Sequence, residues 1–145
     1  MNEDIFHLGV KAIIRNTAGD ILLLKVNVEE LKNYSGEPYW DIPGGRIHKG
    51  GSIEETLKRE VEEETGIKKI KRIIPLYMTL SKIRIPVENG DVGLILSVHT
   101  CEVGENNNIF ISKEHTEYGW FSPQETANLL KFKYPPEFTN VLEKL

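Results

Sequence analysis

A single cysteine, Cys101, stands among 145 residues. One thiol excludes a disulfide framework and a thiolate metal cluster. Its place in an apolar run reads as a packed structural thiol. No apolar run approaches the length that crosses a bilayer. The first residues, Met1-Asn2-Glu3-Asp4, are acidic and lack the basic flank and apolar stretch of a signal peptide, so a cytoplasmic protein is expected. Internal repeats and low-complexity tracts are also missing, which leaves one domain over residues 1–145. There is no excess of positive charge either: 18 Lys and Arg against 22 Asp and Glu give a net charge of −4. A chain that coats nucleic acid needs a basic face to displace counterions. Neither nucleic acid nor a membrane is therefore an expected partner. A small polyphosphate stays open if a divalent cation supplies the positive charge.

What is present is an ordinary globular composition, 39% apolar and 28% charged, enough for a packed core. Apolar residues at Phe6, Leu8, Val10, Ala12 and Ile14 alternate as in a strand. The turn signal Asn16-Thr17-Ala18-Gly19-Asp20 separates it from a second strand, Ile21 to Val26, and the two are expected to form an antiparallel hairpin. Tyr39 to Ile42 is a short extended piece stopped by Pro43-Gly44-Gly45. A helix follows, capped by Ser52 with Glu55 three residues later, carrying Ile53, Leu57 and Val61 as its inner stripe and ending at Thr65-Gly66.

Beyond it, Lys71 to Ile85 reads as a strand with a break near Pro75, and Val92 to Val103 as a long strand after the turn Asn89-Gly90-Asp91. Glu102 to Asn108 is expected as a hairpin loop, Ile109 to Ser112 and Tyr118 to Phe121 as short strands. Pro123 opens a helix capped by Ser122, and Pro136 opens another. Strands and helices do not alternate regularly, so a mixed sheet with helices packed on it is expected rather than a parallel doubly wound sheet.

The segment richest in chemistry is Arg59-Glu60-Val61-Glu62-Glu63-Glu64-Thr65-Gly66. On a helix, Glu60, Glu63 and Glu64 share an arc of roughly 100° while Glu62 points elsewhere. Neighbouring carboxylates repel, and the C-terminal half of a helix disfavours negative charge. A hard divalent cation on carboxylate oxygens compensates both. A solvated acidic face is the plainer reading of such a run. The preceding Pro43-Gly44-Gly45 shifts the balance, because glycines let a backbone approach a ligand and offer a carbonyl to a metal.

The pattern resembles the Nudix hydrolase (MutT-like) signature. Gly45 is followed by five residues, Gly51, seven residues, then Arg59-Glu60-Val61-Glu62-Glu63-Glu64-Thr65-Gly66-Ile67. Every defined position matches except Gly51, where the family has glutamate. Trp40-Asp41-Ile42-Pro43-Gly44-Gly45 resembles the family's entry to this motif. Glu114-His115-Thr116-Glu117-Tyr118-Gly119-Trp120, followed by Phe121-Ser122-Pro123, resembles its late loop, strand and helix start.

The resemblance implies an α/β/α sandwich with a mixed β-sheet. It implies a magnesium-dependent pyrophosphohydrolase, manganese being an alternative, acting on a nucleoside diphosphate linked to another group, such as a nucleoside triphosphate. Glu60 and Glu64 would be the principal metal ligands, joined by Glu63 and the Gly44 carbonyl. Arg59 would hold Glu60. Gly44, Gly45 and Arg46 would meet the substrate. Glu114 is the candidate general base, six residues before Trp120, with Glu117 and His115 as rivals; an exposed loop carboxylate is the plainer reading. Gly51 leaves a second function open, a nucleotide sensor with little turnover, and its neighbour Gly50 raises the question whether a positive φ excludes glutamate there. The family is often dimeric, so a homodimer is allowed, but no segment of the sequence identifies an interface.

Overall fold

A computed structural model describes residues 2–32, 34–105 and 108–145. Five strands form a mixed sheet. In it β1 (Phe6–Ile14) lies between β4 (Gly44–Arg46) and β7 (Gly90–Val103), and β5 (Ile70–Leu80) flanks β7 on the other side. β6 (Ile85–Val87) pairs with the start of β7. β1 runs parallel to β7, while β4 and β5 pair antiparallel to their neighbours. A second, antiparallel sheet has β2 (Ile21–Val26) between β3 (Trp40–Asp41) and β8 (His115–Phe121).

Helix α1 (Ile53–Thr65) covers one side of β1. Its Leu57 and Val61 are fully buried with Val10, Ala12, Ile14, Leu22 and Leu24. Helices α2 (Pro123–Leu129) and α3 (Pro136–Glu143) cover the other, where Ala127, Phe138 and Leu142 pack on Ile13, Leu94 and Leu96. The result is the expected α/β/α sandwich. Burial on both faces explains why β1 and β2 are nearly continuous apolar runs. It also makes Lys11, in the middle of β1 and only 6% exposed, a conspicuous exception.

Several expectations are corrected. β1 and β2 are not a hairpin: one bridge, Arg15 to Ile21, joins them. All nine residues of β1 are in register with β7, and β2 takes its partners from β3 and β8, so each strand's hydrogen-bonding capacity is spent elsewhere. Ile109 to Ser112 is not a strand. The Phe110 N–H instead donates to the Thr65 carbonyl at 2.9 Å, closing the end of α1. The strand expected over Lys71 to Ile85 ends at Leu80, and Ile85 begins the separate β6. Its irregularity at Pro75 is present as a register shift between Pro75 and Tyr77. Ile53, at the first position of α1, is 36% exposed, so the inner stripe begins at Thr56 and Leu57 and continues through Val61 to Glu64 and Thr65. The expected loop Glu102 to Asn108 includes Asn106 and Asn107, which lie outside the described residues, and β7 extends into it as far as Val103.

The ends of α1 follow from its sequence. Ser52 Oγ accepts from the Glu55 N–H at 3.1 Å. Gly66 takes φ +79° and its N–H donates to the Glu62 carbonyl, a left-handed stop that other residues enter with strain. A Cβ there would stand 3.2 Å from the Phe110 ring. Gly66→Ala is therefore expected to lower stability by about 1–2 kcal/mol. Urea unfolding checks this; an unchanged midpoint would show that the turn relaxes without penalty.

Candidate active site

The turn from β3 into β4 delivers the backbone against α1. Gly44 has φ +147°, and a Cβ on it would collide with the Val10 carbonyl oxygen, so β4 can lie on β1 only with glycine there. A Cβ on Gly45 would stand 2.6 Å from the carboxyl carbon of Glu60. The absent side chain is thus the space the Glu60 carboxylate occupies. One turn later, Glu64 is 5% exposed, and its Oε1 accepts from the Gly44 N–H at 2.9 Å.

Burial pushes the Glu64 carboxyl up to about 8; Lys11 and the Gly44 N–H pull it down, while Glu60 and Asp41 push the same way as burial. Arg59 Nη2 meets Glu60 Oε1 at 3.1 Å, and its Nε lies 3.9 Å from Glu63. Glu63 is solvent-exposed on the outer side of α1. Among the described residues, no three His, Cys, Asp or Glu side chains converge closely enough to enclose a cation by themselves. Glu60 and Glu64 nevertheless fit a hard divalent ion. One carboxylate sits in a cradle that only glycine leaves, and the other is buried against a single backbone donor.

A cavity of ≈ 480 Å³ opens beside this pair, lined by Gly44, Gly45, Arg46 and Glu64 at one end. That volume suits a nucleotide-sized ligand. Arg46 lies at its exposed edge, 3.1 Å from His7 Nδ1. Glu114 and His115 also line it, brought there by the loop before β8. Glu117 does not line it; it faces Lys25 at 3.9 Å. His115 Nδ1 is buried without a hydrogen-bond partner, and burial, then Lys11, hold the imidazole down to about 4, so it stays neutral.

The floor was not foreseen. Asp41, at the end of β3, accepts from Lys11 Nζ at 3.2 Å, Lys133 Nζ at 2.6 Å and the Tyr134 hydroxyl at 2.6 Å. Burial alone would raise the Asp41 carboxyl, but Lys11 and Lys133 more than offset it and hold it well below the usual range. Burial and Asp41 together keep Tyr134 a phenol. The sequence signal was Lys11 itself, a charge inside an otherwise apolar strand. Lys133 and Tyr134 carried no local signal. Tyr34, Tyr39 and Phe132 form a ring cluster on the cavity wall, Tyr39 and Phe132 having centroids 4.7 Å apart. Trp40, by contrast, packs edge-on against Phe121. Gly51 is exposed and outside the cavity lining, and its φ is not positive; that conformation belongs to Gly50, at +86°.

Residues 5–144 match the family model described as NUDIX domain. The chain belongs to the NUDIX domain family. Within the family it is 33% identical to the nucleoside triphosphatase NudI of Salmonella typhimurium over 92 residues, which cover 61% of this chain and 64% of that protein. The chain thus matches less than two thirds of that relative's length. Among solved structures, the MutT protein from Methanosarcina mazei Go1 is 28% identical with a TM-score of 0.68, covering 99% of this chain and 95% of that one. The E. coli dihydroneopterin triphosphate pyrophosphohydrolase shares the fold at 16% identity, with a TM-score of 0.72 and 97% of each chain covered. Among the described residues of this NUDIX domain, no helix is long and apolar enough to cross a membrane.

The buried Glu64 carboxyl sets a pH test on the metal-free protein. Below its ordinary value of 4.5 it is protonated folded or unfolded, and its burial carries no charge penalty. As pH rises from there through about 8, the folded state retains a proton that the unfolded chain has released, and stability falls. Glu64→Gln keeps an acceptor for Gly44 and removes the titration. Its melting temperature should exceed wild type by about 5 °C at pH 8 and match it near pH 4. An equal gain at both pH values would remove the ionisation from the explanation.

Proposed function

We propose that this NUDIX domain is a divalent-metal-dependent pyrophosphohydrolase, with magnesium as the physiological ion and manganese as a substitute, acting on a nucleoside triphosphate or a related nucleoside diphosphate conjugate. The observation that carries the reading is the Glu60–Glu64 pair, fitted against Gly44 and Gly45 at one end of a nucleotide-sized cavity. The printed activity of the NudI relative supports the substrate class. A cytoplasmic location and a small-molecule partner go with this reading, and a homodimer is compatible with it.

When bound, the ion would neutralise phosphate oxygens and acidify a water molecule beside Glu60 and Glu64. Arg59 keeps the Glu60 carboxylate oriented toward Gly45. Gly44 and Gly45 line the cavity, the room left by their missing side chains being taken by β1 and by the Glu60 carboxylate, and Arg46 at the cavity edge pairs with the phosphate oxygens. Glu114, exposed at the rim, takes the proton of the attacking water. The alternative, a sensor with little turnover, rested on Gly51. Gly51 is exposed and outside the cavity lining, and turnover separates the two readings.

A panel of nucleoside triphosphates incubated with magnesium, read by released pyrophosphate or phosphate, tests the reading. At least one should be turned over, and Glu60→Gln should reduce kcat/KM on the order of a hundredfold or more with the fold retained. Glu114→Gln should lower kcat while leaving metal affinity unchanged. Absence of turnover across the panel with either ion, in protein that binds the ion, would sink the proposal.

A further inference from the structure

A phenylalanine with 46% of its surface exposed is ordinary by itself, since apolar atoms make up much of any protein surface. Phe132 differs in where it stands and how firmly it is held. It lines the cavity together with Tyr34 and Tyr39. Its ring centroid is 4.7 Å from that of Tyr39 and 6.2 Å from that of Tyr34, whose ring meets Tyr39 edge-on at 5.8 Å. The Tyr34 hydroxyl donates to the Glu37 carbonyl at 2.7 Å. Leu31, also exposed, belongs to the same wall.

The backbone beneath the Phe132 ring is fixed by its neighbours. Lys133 and Tyr134, the next two residues, both donate to the buried Asp41. The Lys133 carbonyl accepts from Ser81 Oγ and from the Lys82 N–H, each at 2.9 Å, and Lys82 Nζ donates to the Lys131 carbonyl at 2.9 Å. Tyr39 is placed by the strand that carries Asp41. The Val26 N–H donates to the Tyr39 carbonyl at 2.8 Å, continuing the pairing of β2 with β3. Tyr39 precedes Asp41 by two residues, so the two side chains leave the same face of the strand, about 7 Å apart. The ring wall and the Gly44–Glu64 contact thus line one nucleotide-sized cavity.

We propose that Phe132, backed by Tyr34 and Tyr39, is the stacking platform for an aromatic ring carried by the substrate, and that it recognises the ring by its face rather than its edge. The inference rests on the reading of the cavity as a site for a nucleotide or a related conjugate. A ring face held in place before the ligand arrives loses little freedom on binding. Every base has a π face, so such a surface takes purines and pyrimidines alike. A bare polyphosphate or a sugar conjugate offers no such face and leaves the Phe132 ring in water. The platform therefore selects ring-bearing conjugates over ring-free ones.

The test is titration calorimetry with magnesium and three ligands. The α,β-methylene analogues of ADP and UDP carry a carbon in place of the bridging oxygen and are not cleaved there, and methylenediphosphonate keeps the anionic end alone. Phe132→Ala should weaken both nucleotide analogues at least about fivefold and change the affinity for methylenediphosphonate by less than about twofold. Phe132→Tyr should stay within about twofold of wild type for all three, because the π face is kept. Phe132→Leu, apolar but without that face, should lose most of what Phe132→Ala loses. Unchanged nucleotide affinity in Phe132→Ala, an equal loss for methylenediphosphonate, a loss for only one of the two nucleotides, full nucleotide affinity in Phe132→Leu, or no binding of either nucleotide to wild type at millimolar concentration would each overturn the inference. If Phe132→Ala does not fold, Phe132→Leu carries the same comparison. Nucleotide binding that depends on Phe132 without hydrolysis of any triphosphate would uphold this inference while the pyrophosphohydrolase reading failed. Hydrolysis of a triphosphate with a KM unmoved by Phe132→Ala would do the reverse.

Discussion

The Asp41 carboxylate ties Lys11 on β1 to Lys133 and Tyr134 in the link between α2 and α3. Asp41 itself ends the short strand from which the glycine turn departs. Three stretches of chain that share no hydrogen-bonded ladder therefore meet at one buried anion. The placement of Gly44 and Gly45, and through them of Glu60 and Glu64, depends on where that strand stops. Taking a carboxylate and two ammoniums out of water is expensive, and a buried ionic group is weak evidence for stability in itself. What such a group supplies is a fixed geometry. Asp41 is satisfied by four donors, two from the α2–α3 link, one from β1 and one from its neighbour Ile42, and moving β1 or the link away would leave a charge buried and unpaired.

Two electrostatic strains are stored in this small volume, and they differ in kind. At Asp41 opposite charges meet, so the ionised form is held firmly. At Glu64 burial dominates and the ionised form is disfavoured until a cation arrives. Lys11 faces both, pulling Glu64 toward ionisation while bonding to Asp41. Burial lowers the lysine's own proton affinity, and Asp41 restores part of it. A metal that binds at Glu64 therefore arrives next to a positive charge already committed to a neighbour. The cation repels that charge less than it would repel an unpaired ammonium.

How far the sequence reveals this depends on the distance over which each feature is encoded. Helix α1, with its Ser52 cap, Gly66 stop and Glu60 to Glu64 face, was readable because its periodicity, caps and motif lie within fifteen consecutive residues. The strands were located well but paired less well. The short turn between β1 and β2 implied a hairpin, whereas β1 pairs with β7, whose partner residues begin at Gly93. Local turn chemistry carries no information about that crossover. The Asp41 network lies beyond pattern reading, since its members are 30 and 92 positions apart. Only the oddity of Lys11 among Val10, Ala12 and Ile13 hinted at it. Gly51 shows the opposite limit. As a departure from a motif it pointed to altered chemistry, yet its exposed position places it away from the groups that line the cavity.

Gly44 lies between the two halves of the site. Its N–H holds Glu64, and the strand just before it ends in Asp41. Glu60 and Glu64 supply acceptors that need a cation, and Lys11, cross-strand from Gly44, supplies with Lys133 ammonium donors close by. A ligand that satisfies both carries a metal-bound anionic group and further oxygen or ring-nitrogen acceptors. An uncharged base would satisfy the second and leave Glu64 buried without its cation. A buried carboxylate that calls for a cation, with ammonium donors close beside it, therefore fits a metal-bound polyphosphate conjugate better than an uncharged base.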